Sequence, residues 1–402
     1  MLKTRTPSLS PEEARKLHYE ALVIDAQQPP ATSGFLFTDS MRAALQEFAL
    51  QGMTRGEASG RLATMAAREI RTSADAREMY MGLWDRSGVN VLSATYAGPG
   101  DPGASFERSV RVMAEARAII DALEGELVLV LKADDIERVY REGKHGIIFD
   151  FQDTTPFGTD LDRIEVFHNL GLRVVQLTYN LRNLVGDGCT EVYKTGLTYF
   201  GREVVQCLNE LNMAVDVSHS SEQVGWDALE VSSAPILVTH SSSCAVCYHD
   251  RGKGDELAKA VADKGGFFGV ALVPGFLQDE RYLATLDDFV DHVDNLVDVM
   301  GIDHVGVGND ICGNGPETGS MIEYPEEMPG TIEQARRRPQ EFNWSGFREE
   351  HRITDEYHIA GYDNFGDWPN ITVKLAERGF NEQELRKLLG LNYLRYFREV
   401  VG

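Results

Sequence analysis

The sequence predicts an α/β fold, a single (β/α)8 barrel of the TIM type, on three observations. Eight short apolar runs recur along the chain, most of them separated by stretches of helical periodicity, and buried strands that alternate with helices build a parallel barrel. No Gly-x-Gly-x-x-Gly follows the first run, which argues against an open doubly wound sheet. The length of 402 residues suits one barrel of about 250 residues or more carrying insertions.

The elements follow in order. Ser10-Pro11-Glu12-Glu13 places serine at a helix cap, proline at the first helical position and glutamate at the third, a capping box. The apolar runs predicted as strands are Ala21–Asp25, Val89–Thr95, Gly146–Asp150, Val174–Thr178, Met213–Val217, Pro235–Thr239, Phe267–Ala271 and His304–Gly308. Between them, Ala104–Leu123, Phe200–Leu211 and Leu286–Met300 carry helical periodicity. Two segments interrupt the pattern. Gly34–Asp75 is rich in helix formers, and Gly313–Pro369 carries Pro, Gly, an Arg336-Arg337-Arg338 cluster and the aromatics Tyr324, Phe342, Trp344, Phe347, Tyr357, Tyr362, Phe365 and Trp368. Such long connections are functional lids or disordered, and the aromatic content favours ordered lids. The expected organisation is one domain, 1–402, with 34–75 and 313–369 as insertions over the barrel mouth.

Composition narrows the partners. The chain has 63 acidic against 39 basic residues and a formal net charge of -24. Nucleic-acid binding needs a basic footprint, and docking on anionic lipid needs the same sign, so neither partner is expected. No run has the length of a membrane span, and no apolar core of signal-peptide length opens the sequence. Five cysteines are an odd number, which does not suggest a disulfide framework. Cys244 and Cys247 form a CxxC with no second pair at zinc-finger spacing, so they read as two thiols near a loop. These features predict a cytoplasmic protein acting on a small molecule.

Barrel chemistry sits at the C-terminal strand ends. There the sequence places His219 in Val-Asp-Val-Ser-His-Ser and His240 in Leu-Val-Thr-His-Ser-Ser. Two imidazoles at adjacent strand ends can meet one divalent ion, and Asp310 can add a carboxylate from the last strand. The other eight histidines lack that context.

Beyond these residues the chain resembles the membrane (renal) dipeptidase family of zinc peptidases. The likeness is carried by Leu-Gly-Leu-Arg-Val-Val-Gln-Leu-Thr-Tyr-Asn (170–180), Gly-Leu-Thr-Tyr-Phe-Gly-Arg-Glu-Val-Val (196–205), the segments around His219 and His240, Asp-His-Val-Gly-Val-Gly-Asn-Asp (303–310) and Leu-Leu-Gly-Leu-Asn-Tyr-Leu-Arg (388–395). The resemblance implies an amidohydrolase-like, metal-dependent barrel that hydrolyses dipeptides at a two-zinc centre, and a homodimer. It implies that His219 and His240 hold metal, that Arg251 holds a substrate carboxylate, and that Asp310 matches the strand-eight aspartate.

Other positions depart from the pattern. The His-x-Asp motif after the first strand is replaced by Asp25-Ala26-Gln27-Gln28-Pro29, the bridging glutamate by Gln152, and the strand-four histidine by Tyr179. Proline has no ligating side chain, and a neutral glutamine does not compensate two cations. Four readings follow. One ion, zinc or iron, stays on His219 and His240, a set that also suits a non-haem iron (or diiron) oxygenase acting on an acid such as a coenzyme A conjugate, with Tyr179 as a ligand to ferric iron. A two-ion site is rebuilt with other groups, Glu191 in Gly-Asp-Gly-Cys-Thr-Glu foremost and Gln152 beside it. Hydrolysis of an amide-like bond in a small anionic substrate is retained. The chain is a non-catalytic small-molecule binding protein. The expected site has His219, His240, Asp310, Glu191 and Gln152 at the metal, Asp310 (ligand or general base) and Tyr179 in catalysis, and Arg251, Tyr179 and Asn180 on substrate. The hydrolase is the leading expectation.

Overall fold

A computed structural model describes residues 5–29, 34–279, 284–311, 324–325, 327–331, 334, 344–353 and 359–402. Cys312, Arg336-Arg337-Arg338, Phe342 and Tyr357 lie outside the described residues. Among the described residues there are nine parallel strands: β1 (Ile24–Gln28), β2 (Val91–Thr95), β3 (Leu127–Leu129), β4 (His145–Phe151), β5 (Leu172–Gln176), β6 (Ala214–Asp216), β7 (Leu237–Ser241), β8 (Phe267–Val270) and β9 (Val305–Val307). They pair in the order β1-β2-β4-β5-β6-β7-β8-β9, with β3 attached to β4 beside that path. The ring draws together where Asp310 N–H donates to Gln27 O at 3.1 Å and Asn309 N–H to the Asp25 carboxylate at 3.0 Å. This is the expected (β/α)8 barrel, with all eight expected strands within a few residues of their predicted bounds. The sequence reading missed β3.

The strands are apolar because both faces are covered. Period-two alternation then sorts their inward residues into layers. The lowest layer holds Val91, Ile148, Val174, Ala214 and Leu237, packed on Tyr393, Tyr396 and Phe397 of the closing helix Asn392–Val400. Two residues further along the same strands come Ser93, Asp150, Gln176, Asp216 and Thr239, all buried. The interior therefore changes from apolar to polar within one strand period, directly below the strand ends.

The helices follow their sequence signals. Pro11–Glu20 begins at the capping box, with Ser10 N–H donating to the Glu13 carboxylate at 2.8 Å. Leu286–Met300 matches its predicted bounds and is capped by Thr285 and Asp288. In 34–75 the helices Asp39–Leu50 and Arg55–Thr72 bury Met41, Leu45, Leu62 and Ile70 against the main core. Arg55 N–H donates to Pro329 O at 2.7 Å, and its guanidinium lies 5.2 Å from the ring centres of Tyr324 and Trp344, so the two inserted segments touch. Among the described residues, no helix is long and apolar enough to cross a membrane.

Asp150 in the polar layer makes stability pH-dependent. Burial raises its carboxyl from the ordinary 3.8 to about 8 against the hydrogen bond from Ser93. A raised acid favours folding in its protonated form, so this contribution is complete below about pH 4 and is lost as pH climbs through about 8. Asp150→Asn is expected to unfold with a shallower loss of stability between pH 5 and 8 than the wild type, checked by denaturant titration across that range.

Candidate active site

The β6 and β7 ends build the centre of the site. These strands share one register pair, Asp216↔Leu237, and the β7–β8 register is irregular between Val238 and Ser241. The Asp216 side chain fills the gap: it accepts from Ser218 N–H (2.9 Å), Ser218 Oγ (2.6 Å), Thr239 N–H (3.1 Å) and Thr239 Oγ1 (2.6 Å). Burial pushes this carboxyl up, and the four donors pull it back down. Glycine lets the neighbouring strands approach, since a Cβ on Gly269 or Gly308 would stand 2.0 Å from Thr239 O.

His219 and His240 leave these ends fully buried, with their Nε2 atoms 3.0 Å apart. Burial, then the Arg251 charge, holds both well below the usual imidazole pKa, so both are neutral. The His219 tautomer is fixed. Asn180 Nδ2 donates to Ser345 O at 2.8 Å, which turns Asn180 Oδ1 toward His219 Nδ1 at 2.7 Å; an amide oxygen only accepts, so Nδ1 carries the hydrogen. His240 Nδ1 stands 2.7 Å from Thr239 Oγ1, whose hydrogen is given to Asp216, so Nδ1 again donates. Both Nε2 atoms therefore present lone pairs to each other with no hydrogen between them. Such an arrangement calls for a cation.

A divalent ion fits there. Two nitrogens on one tetrahedral ion stand about 3.3 Å apart for metal–nitrogen bonds of about 2.0–2.1 Å, and the 3.0 Å found here is close. The Asp310 carboxylate lies 3.8 Å from His240 Nε2; burial raises it to about 7, while Arg251 opposes that rise. Among the described residues, no three His, Cys, Asp or Glu side chains already converge closely enough to hold a metal. The side chains at the end of β1 include two neutral amides, Gln27 and Gln28. Gln27 Nε2 donates to Gln28 O at 3.1 Å and lies 3.5 Å from Asp150 Oδ2, while Gln28 Nε2 donates to Asp25 at 2.8 Å. Amide N–H groups thus stand where a cation would need lone pairs, and the orphaned Gln27 and Gln28 oxygens are uncharged.

Four expected roles change. Glu191 does not join a metal group; its carboxylate accepts from Arg182 N–H at 2.7 Å, because the tight loop after β5 uses its acids to satisfy local donors. Asn180, at φ +57°, stands behind His219 as its hydrogen-bond acceptor rather than facing substrate. Gln152 lies beside β5, its backbone carbonyl accepting from Gln176 Nε2 at 2.6 Å, and its neutral amide does not compensate a cation's charge. Tyr179 stacks on His219 at 4.1 Å between centres, and burial pushes its phenol to about 12, so with no cation bound to it the phenol is neutral. It also lines a cavity of about 470 Å³ with Pro99, Pro102, Leu181, Leu184 and Val185.

Arg251 is fully buried. Nη1 donates to Ser218 O at 2.6 Å and Nη2 to His240 O at 3.0 Å, while Nε has no partner. Among the described residues it pairs with no carboxylate: Asp250 turns to His351 and Lys194, and Asp255 to Asn295. Lys253, not foreseen in the sequence, donates to Ser220 O at 2.6 Å, so the two cations grip the backbone on either side of His219. The Arg-x-Lys spacing was the available signal.

Barrel, buried imidazole pair and unpaired arginine together mark out a candidate metal site. The sequence matches the membrane dipeptidase (peptidase family M19) pattern over residues 12–333, and the chain belongs to that family. It is 28% identical over 284 residues to a dipeptidase of Claviceps purpurea, a match covering 70% of this chain and 57% of that protein. An uncharacterised Klebsiella pneumoniae protein is 29% identical over 311 residues, 75% of this chain and 98% of the relative. An uncharacterised dipeptidase of Schizosaccharomyces pombe is 30% identical over 228 residues, 54% of each. The matches to the Claviceps and Schizosaccharomyces proteins thus span little more than half of those relatives' length. Among solved structures, a Pseudomonas aeruginosa amidohydrolase superposes with a TM-score of 0.71 at 24% identity, covering 98% of this chain and 99% of its own. A Rhodobacter sphaeroides metallopeptidase liganded with a phosphinate mimic of L-Ala-D-Ala gives 0.68 at 17%, covering 94% and 99%; both show the shared fold. Family and fold are thus those of the metallo-dipeptidases.

Because Asn180 orients His219, Asn180→Ala is expected to weaken divalent-metal affinity by roughly 10–100-fold, whereas Glu191→Ala leaves it unchanged. Competition against a chromophoric chelator checks both.

Proposed function

We propose that the protein hydrolyses an amide bond in a small anionic, dipeptide-like substrate at a single divalent ion held by His219 and His240. The observation that carries this reading is the pair of neutral Nε2 lone pairs 3.0 Å apart, together with the neutral amides of Gln27 and Gln28 at the end of β1. A divalent ion there supplies Lewis acidity, polarising a carbonyl and acidifying water; zinc is the family's usual choice.

The chain's own groups do the rest. Asp310, beside the histidine pair, is the general base: its carboxylate can take a proton from water and return it to the leaving amine. Arg251, unmatched by any carboxylate among the described residues, receives the anionic end of the substrate. In a chain of net charge -24 an unpaired buried cation stands out, and a charged hydrogen bond at such a place contributes about 1.5–3 kcal/mol. Tyr179 closes one wall as a neutral phenol. The segments 34–75 and 313–369 cover the mouth, a reading supported by the contacts of Arg55 with Tyr324 and Trp344.

The test is a panel of dipeptides and their C-terminal amides, assayed with zinc or manganese. Free carboxylates are expected to be hydrolysed with kcat/KM roughly 10–100-fold above the amides, Arg251→Met erasing the difference, and turnover continuing under strict anaerobiosis. Inactivity across the panel, or equal rates for acids and amides in wild type, would remove this reading.

A further inference from the structure

We infer that Asp216, a residue that touches neither substrate nor reacting atoms, is the positioning residue that makes His240 a metal ligand, acting through the Thr239 hydroxyl. This inference deepens the single-ion reading above and rests on it, except that its primary readout needs no metal.

The chain of hydrogen bonds runs in one direction. Thr239 Oγ1 donates its only hydrogen to Asp216 Oδ2 at 2.6 Å. The oxygen is then left with lone pairs alone toward His240 Nδ1, 2.7 Å away, and accepts from it. A neutral imidazole holds one ring hydrogen, so Nε2 is bare and can face a cation. Ser218 repeats the pattern on the main chain: its hydroxyl donates to Asp216 Oδ1 at 2.6 Å and accepts from His240 N–H at 3.1 Å. One carboxylate thus orients both the ring and the backbone of His240. Metal-bound histidines commonly hand their second ring hydrogen to a carboxylate or carbonyl directly; here a threonine hydroxyl is interposed.

The direction of the chain makes a specific reversal possible. An asparagine at 216 keeps the shape and the acceptor Oδ1, but puts a donor where Oδ2 stood. Its N–H would bond Thr239 Oγ1, and the hydroxyl hydrogen would swing to the nearer of two acceptors, His240 Nδ1 at 2.7 Å rather than Ser218 Oγ at 3.0 Å, leaving the ring hydrogen on Nε2. His240 Nε2–H would then donate to His219 Nε2 at the existing 3.0 Å separation, and the pair would satisfy itself without a cation. A purely structural role for Asp216, stitching β6 to β7, predicts no such change, because Asn preserves the bonds from Ser218 N–H, Ser218 Oγ and Thr239 N–H.

The experiment reads the His240 tautomer by NMR of the 15N-histidine-labelled, metal-free protein, assigned by loss of signal in His240→Gln, alongside zinc affinity by chelator competition. Wild type is expected to show hydrogen on Nδ1. Asp216→Asn is expected to show hydrogen on Nε2 and zinc bound roughly 10–100-fold more weakly. Thr239→Val, which removes the relay, is expected to lose the single tautomer and affinity together, and Thr239→Ser to restore both. The proposal is overturned if Asp216→Asn and Thr239→Val both retain the Nδ1–H tautomer. Should Asp216→Asn not fold, the Thr239→Val and Thr239→Ser pair decides alone. A wild type that binds no zinc but shows the tautomer change defeats the single-ion reading and leaves the Asp216 assignment standing.

Discussion

Two unprotonated imidazole nitrogens held 3.0 Å apart are the constraint on which the site depends. Left alone they repel, and a protein that buries them completely must either share a proton between them or offer them a cation. The proton is denied by two separate locks, Asn180 behind His219 and the Asp216–Thr239 chain behind His240. The positive charge of Arg251 acts in the same sense, disfavouring an imidazolium at either ring. What remains is a place for a divalent ion, reached from the C-terminal end of the barrel.

The barrel explains why the locks can be rigid. Inward residues turn polar at or within two positions of the strand ends, so Asp216 and Thr239 lie in a dry layer over the Tyr393 and Phe397 plug. Hydrogen bonds there are poorly contested by water and hold their geometry. Arg251 and Lys253 occupy the carbonyls of Ser218 and Ser220, which would otherwise end the β6 strand unsatisfied. The same cations that hold His219 in place bring positive charge to the mouth, where a substrate carboxylate would meet it.

The family resemblance implies two ions, whereas the reading proposed above places one ion on His219 and His240. The difference is chemical rather than a matter of degree: the family's His-x-Asp motif gives way to Gln27, Gln28 and Pro29 and its bridging glutamate to Gln152, and the Gln27 and Gln28 N–H groups are turned to Asp25, Asp150 and the Gln28 carbonyl. In the sequence, the eight ring strands were legible because strands covered on both faces are nearly continuous apolar runs. Strand β3 was not, being three residues long with Val128 and Leu129 only partly covered. His219 and His240 stood out from their matching contexts, and Arg251 through the family resemblance. Glu191 and Asn180 were misplaced because a polar residue just past a strand can face ligand, metal or its own loop, and the loop's φ angles decide which. Asp216 and Thr239 stood out in the sequence as polar strand ends but carried no role, since polar residues inside apolar strands bear no local mark of the ring they serve.

The central claim, one ion between two tautomer-locked histidines, is tested most directly by metal stoichiometry. Protein stripped with chelator, reloaded with zinc and desalted should hold one equivalent per chain by elemental analysis, falling to background in both His219→Ala and His240→Ala. Two equivalents in the wild type, or one equivalent that survives either substitution, would contradict it.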